Sequence, residues 1–132
     1  MTPLLEVDRV SKTYNVPGMK EPYCVFRDIS LQIREGEFVS VIGHSGCGKS
    51  TLLNIIAGID QADEGVILLK GREVSSPGLD RMVVFQNFAL MPWMTVYQNV
   101  RLAVQAAYPH WSRSKIHERV SHYLELVNLK GA

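Results

Sequence analysis

Gly43-His44-Ser45-Gly46-Cys47-Gly48-Lys49-Ser50-Thr51 is the stretch on which the fold turns. It carries the phosphate-binding pattern G-x-x-x-x-G-K-[ST]. Before it, Phe38-Val39-Ser40-Val41-Ile42 is a short β-branched run that reads as a buried strand. After it, Leu52-Leu53-Asn54-Ile55-Ile56-Ala57-Gly58 reads as a helix stopping at a glycine. Strand, glycine-rich turn and helix form the context that gives the pattern physical meaning. It implies an α/β fold and a site for a nucleoside triphosphate.

Such a ligand needs concentrated positive potential and many donors at close range. Gly43, Gly46 and Gly48 have no Cβ, so the backbone is expected to take positive φ and press its N–H groups against phosphate oxygens. The whole run Gly43, His44, Ser45, Gly46, Cys47, Gly48, Lys49, Ser50 and Thr51 is therefore the candidate nucleotide site. The helix that starts near Gly48 adds its dipole and unpaired N–H groups. Lys49 is expected to reach the β- and γ-phosphates, which makes it a candidate catalytic residue. Ser50 is expected to place its hydroxyl on Mg²⁺, and Thr51 to contact the α-phosphate side.

The rest of the composition narrows the class. A chain of 132 residues, 46% hydrophobic and 20% charged, has the make-up of a soluble globular domain. A net charge of +1 gives no reason to expect nucleic acid or a membrane surface as a bulk partner. No apolar run approaches the ~18 residues of a membrane span. The start, Met1-Thr2-Pro3-Leu4-Leu5-Glu6-Val7-Asp8, lacks the basic and long apolar regions of a signal peptide. Cys24 and Cys47 make no disulfide framework, and a reducing cytosol is the simplest compartment.

Outward from the loop, Leu4–Val10 and Cys24–Ile33 alternate as strands, with Ile29, Leu31 and Ile33 on one face. Gly65–Lys70 reads as a further strand, and so does Arg81–Phe85. Thr95 is placed to cap a helix over Val96–Ala107. A last helix starts at Ser112 or Ser114, carries Ile116, Val120, Tyr123, Leu124 and Val127 as its stripe, and is expected to stop at Gly131. His44, His110, His117 and His122 read as solvated surface residues. Asp60, Asp63 and Glu64 read as a solvated turn.

Four stretches carry a family resemblance: Val10-Ser11-Lys12-Thr13-Tyr14; Gly36 through Leu53; Ile56-Ala57-Gly58 with Gly65; and Val84-Phe85-Gln86-Asn87 with Leu90, Pro92 and Trp93-Met94-Thr95-Val96. Together they resemble the ATPase subunit of an ABC transporter. The run from Pro77 to Trp93 is similar to ATPases of the nitrate/nitrite/bicarbonate group, close to the sulfonate and taurine importers. The resemblance implies a P-loop NTPase of the ABC ATPase type, with ATP and Mg²⁺ as cofactors. It implies a β-rich N-terminal lobe and phosphate-loop core over about residues 1–94, and the start of a helical subdomain over about 95–132.

It also implies roles. Tyr14 matches the aromatic that stacks on adenine. Gln86 matches the glutamine that contacts Mg²⁺ and the attacking water, a candidate both for catalysis and for the metal. Phe88–Val96 matches the surface that receives a membrane subunit; Met91, Trp93 and Met94 there either form that surface or fold inward. The implied partners are that membrane subunit, a second ATPase subunit and, indirectly, a solute-binding protein. The implied location is the cytoplasmic face of the plasma membrane.

The family also uses a signature motif, a strand ending in Asp and Glu, and a switch histidine. None of these occurs in the sequence, so the resemblance is to the N-terminal part of an ATPase domain, truncated ahead of them. The expected function is ATP binding in an importer, with hydrolysis a property of the full-length parent. A non-catalytic segment that docks on a membrane subunit through the region after Gln86 is the alternative. Without the strand that lies beside the phosphate-loop strand in this fold, apolar faces are expected to stay uncovered and the chain to be poorly stable or aggregation-prone.

Overall fold

The computed structural model describes residues 2–131. They form two compact units, Met1–Val83 and Val84–Ala132.

The first unit is an antiparallel sheet with one helix on it. Its elements are β1 (Leu5–Tyr14), β2 (Tyr23–Ile33), α1 (Lys49–Ala57), β3 (Glu64–Leu69) and the short β4 (Arg72–Glu73), and the strand order is β2-β1-β3-β4. The apolar residues of β1 do not keep a strict period of two. Leu5 and Val7 face the core, and so does Val10. A bulge absorbs the odd step: Arg9 takes φ 48°, and the register shifts between Val7 and Val10 against β2 and between Asp8 and Ser11 against β3. Asp28 on β2 has φ 52°, and two serines stitch the irregular pair. The Arg9 N–H donates to Ser30 Oγ at 2.9 Å, and the Asp28 N–H donates to Ser11 Oγ at 3.1 Å. Leu52 and Ile55 of α1 join Leu5, Val7, Val10 and Ile67 in one core. That contact seats the helix, and hence the loop ahead of it, on the sheet.

The second unit is a helical hairpin of α2 (Val96–Ala107) and α3 (Arg113–Leu126), closed by Val104, Ile116, Val120 and Leu124. Thr95 caps α2 as expected, and the cap is a full box. Thr95 Oγ1 accepts from the Gln98 N–H, while Gln98 Oε1 accepts from the Thr95 N–H. Ser112, not Ser114, caps α3. Gly131 is not its stop. The helix closes four residues or so earlier, where Asn128 takes φ 58° and Leu129 N–H donates to Leu124 O at 2.8 Å. Asparagine tolerates this left-handed position next best after glycine, so the closure needs no glycine.

Two expected strands are not formed. Phe38–Ile42 and Arg81–Phe85 run without strand pairing, and Phe38 and Ile42 are each 93% exposed. A strand interior of this apolar kind needs neighbours on both edges. Among the described residues none pairs with either run.

Candidate functional site

The loop Gly43–Thr51 leads directly into α1, whose first residue is Lys49. Gly48 is the N-cap, with φ 97° and no side chain to cap the helix. A Cβ there would stand 2.6 Å from Val25 Cγ1 and 2.9 Å from Phe26 Cδ1, so β2 as well as the dihedral demands glycine. Gly46 has positive φ, as expected; Gly43 does not. Gly43 instead lies against the Cys47 side chain, where an added Cβ would meet Sγ at 2.6 Å. Its requirement is space.

Lys49 folds back over the loop. Its ammonium donates to Gly43 O at 2.6 Å and His44 O at 2.7 Å, and lies 3.4 Å from Cys47 Sγ. The positive charge is thereby held at the mouth of the loop, at the head of a helix whose first N–H groups have no side-chain cap. A cation at the head of a helix with no side-chain cap, on a glycine-lined loop, is the kind of group that could hold a phosphate. Ser50 is exposed beside it, and its hydroxyl is the residue that would hold a divalent cation. Both cysteines are free.

Tyr14, at the end of β1, is not a free aromatic. Its hydroxyl donates to Asp60 Oδ2. The Lys12 ammonium lies 4.9 Å from the centre of its ring. Lys12 itself is only 7% exposed, and it donates to Asp60 Oδ1 at 2.9 Å and Gln61 O at 2.7 Å. Asp63 accepts from the Thr13 N–H at 2.6 Å and from the Thr13 hydroxyl at 2.8 Å. Asp60 is half-buried and paired, whereas Asp63 and Glu64 are exposed as expected. Asp60 and Asp63 both tie the end of β1 to the segment after α1.

The charges respond accordingly. The Tyr14 hydroxyl bond lowers Asp60 below the ordinary carboxylate range against the opposing effect of burial, and Lys12 adds to the lowering. The Thr13 N–H and hydroxyl lower Asp63. The bond to Asp60 and then burial raise Tyr14. Burial alone pulls Lys12 down, but the hydrogen bond and charge of Asp60, with Asp63 and Tyr14 behind them, outweigh it and leave Lys12 raised.

Gln86 and the segment Phe88–Val96 belong to the second unit. Gln86 is exposed. Phe88 is wholly exposed and Trp93 is 76% exposed, so these two do not fold inward. Asn99 of α2 holds this segment: its Nδ2 donates to the carbonyls of Met91, Met94 and Thr95, and its Oδ1 accepts from the Met91 N–H at 2.8 Å. His117 is exposed but not merely solvated, since its Nδ1 lies 2.6 Å from the Tyr97 hydroxyl.

Sequence reading missed Lys12, Asp60 and Asn99. Only an out-of-phase lysine in an alternating strand hinted at the first; the other two had no local signal.

With this geometry in view, residues 26–132 match the family profile described as ABC transporter. The chain belongs to the ABC transporter family. It is 52% identical over 130 residues to the bicarbonate transport ATP-binding protein CmpD of Synechococcus elongatus, covering 98% of this chain and 46% of that protein. It is 49% identical over 131 residues to the nitrate import ATP-binding protein NrtD of the same organism, covering 99% of this chain and 47% of that protein. The chain thus spans about half the length of the curated relatives it matches. Its fold superposes on the ATP-binding cassette MJ0796, solved as a dimer in a post-hydrolysis state bound to ADP and Pi, with a TM-score of 0.79 and 31% identity over 96% of this chain and 58% of that one. The ABC ATPase fold and the likeness to the nitrate and bicarbonate group are both borne out. No helix among the described residues is long and apolar enough to cross a membrane.

Proposed function

We propose that this ABC transporter chain supplies the nucleotide-binding segment of an importer's ATP-binding component, for anions of the nitrate, nitrite or bicarbonate type. One observation carries the reading: Lys49 is held by Gly43 and His44 at the mouth of the loop, ahead of an uncapped helix. In this reading Gly43–Thr51 cradles the triphosphate of ATP, Lys49 neutralises its β- and γ-phosphates, and Ser50 holds Mg²⁺. Tyr14 stacks on adenine, and Gln86 contacts Mg²⁺ and the attacking water. The relatives' names supply the anion class.

These residues equip the chain to hold a triphosphate; a general base for water is a separate requirement. In the assembled importer the chain would lie at the cytoplasmic face of the membrane, beside a second ATPase subunit and a membrane subunit. Calorimetric titration with Mg-ATP tests the reading. Saturable binding is expected, and Lys49→Ala should abolish it; binding indifferent to Lys49→Ala, or none, refutes it.

The exposure of Phe88 and Trp93 on a segment pinned by Asn99 favours a second role, docking on a membrane subunit through Phe88–Val96. Co-purification with that subunit should survive Lys49→Ala and fail with Trp93→Ala.

A further inference from the structure

We infer that Asp60, backed by Lys12, is a positioning residue for the base-contacting ring of Tyr14. The inference rests on the reading of Tyr14 proposed above.

The geometry is specific. Tyr14 is the last residue of β1, where a side chain has a solvated face and ordinarily several rotamers. Here its hydroxyl is held at one end by a carboxylate, and Lys12 lies over the ring 4.9 Å from its centre. Asp60 is itself not free to turn. Its other oxygen takes the Lys12 ammonium at 2.9 Å and the Gln61 N–H at 2.7 Å. Lys12 is buried in the sheet and further anchored on Gln61 O. The chain of contacts runs from an immobile strand position, through a charge pair, to the phenol.

Its consequence is preorganisation. With Lys12 over the ring and the hydroxyl tethered to Asp60, the ring's orientation is set before any base arrives. A purine stacking on it then immobilises one side chain fewer. The tether also links the base contact to the segment that follows α1, where Asp60 lies. Asp60 touches neither the base nor the phosphates in this scheme; it acts through Tyr14.

The test separates base from phosphate. Mg-ATP and inorganic tripolyphosphate are titrated calorimetrically against the chain and against Asp60→Asn, with circular dichroism confirming the fold. The expected result is ATP affinity lowered about three- to tenfold, the effect of one side chain left to be ordered on binding, with tripolyphosphate affinity unchanged. Tyr14→Phe keeps the ring and removes only the hydroxyl. It should weaken ATP to the same extent, and the double variant should be no worse than either single one. If Asp60→Asn unfolds, Tyr14→Phe alone decides the matter. Unchanged or tighter ATP binding in the folded variants, additive effects, or equal losses for ATP and tripolyphosphate overturn the inference. Wild-type chain that binds neither probe refutes the nucleotide reading and the inference with it. Wild-type binding that depends on Lys49 but ignores Asp60 and the Tyr14 hydroxyl refutes the inference alone.

Discussion

At the residue scale, the charge network around Tyr14 makes stability depend on pH in a defined direction. Asp60 and Asp63 are both depressed below their unfolded value of about 3.9. A group with a depressed folded value stabilises fully above its unfolded value, and that stability disappears as pH falls through the folded value. The urea midpoint in dilute solution should therefore be flat from about pH 7 to 5 and fall below about pH 4. Asp63→Asn should lower the neutral plateau and flatten the acid limb by about the same amount, because it removes the stability that the charged carboxylate contributes above its unfolded value. Lys12 and Tyr14 are raised, so their share is present below the ordinary lysine and tyrosine values of about 10 and is lost above them. A midpoint that stays level down to pH 2 would contradict the role given to the carboxylates. The network itself was not legible in the sequence. Lys12 and Asp60 stand 48 residues apart, and each alone looks like an ordinary surface charge. The loop was legible because its pattern is local: Gly48, Lys49 and Ser50 are consecutive in the chain.

At the element scale, what was readable follows the same division. The span Val96–Ala107 and its Thr95 cap come out as expected, because helical period and capping are neighbour-to-neighbour properties. The strands of the antiparallel sheet were also visible from alternation, although β1 extends to Tyr14, past the Val10 expected as its end. The irregularity at Arg9 was recorded in the phase slip from Val7 to Val10, and the residue that accommodates it is Gly65 on the neighbouring strand. Gly65 has φ 82°, and an added Cβ would stand 2.4 Å from both Asp8 O and Arg9 O. Asp8 stands opposite Val66 in the β1–β3 register, so its carbonyl cannot withdraw without disturbing that pairing. Gly65→Ala should therefore lower unfolding free energy by at least about 1–3 kcal/mol, the usual cost of one strained backbone position. Urea denaturation measures it, and a loss under about 0.5 kcal/mol, an ordinary surface-substitution effect, would show that the bulge relaxes. Phe38–Ile42 and Arg81–Phe85 were misread for the opposite reason. Their composition specifies a strand interior, but pairing is a property of two segments, and no described segment pairs with them.

At the scale of the whole molecule, that unpaired chain becomes surface. Phe38, Ile42, Met82, Val84 and Phe88 are all exposed, as are Leu79 and Trp93. Single exposed apolar residues are ordinary, but runs of them on backbone without strand pairing combine bare hydrophobic side chains with unpaired N–H and C=O groups. Such segments template pairing with other chains. The two hydrophobic clusters do not offset this, since each is confined to its own unit: one is Leu5, Val7, Val10, Leu52, Ile55 and Ile67, the other Val104, Ile116, Val120 and Leu124. The chain by itself should therefore bind anilinonaphthalene sulfonate and self-associate as its concentration rises. Replacing Phe38 and Ile42 with serine should reduce both effects, because neither side chain contributes to a cluster that would be lost. Lys49→Ala should leave both unchanged. Sedimentation velocity across a hundredfold dilution range decides the point. A concentration-independent monomer with a reversible, cooperative thermal transition would mean that these segments find cover within the chain itself.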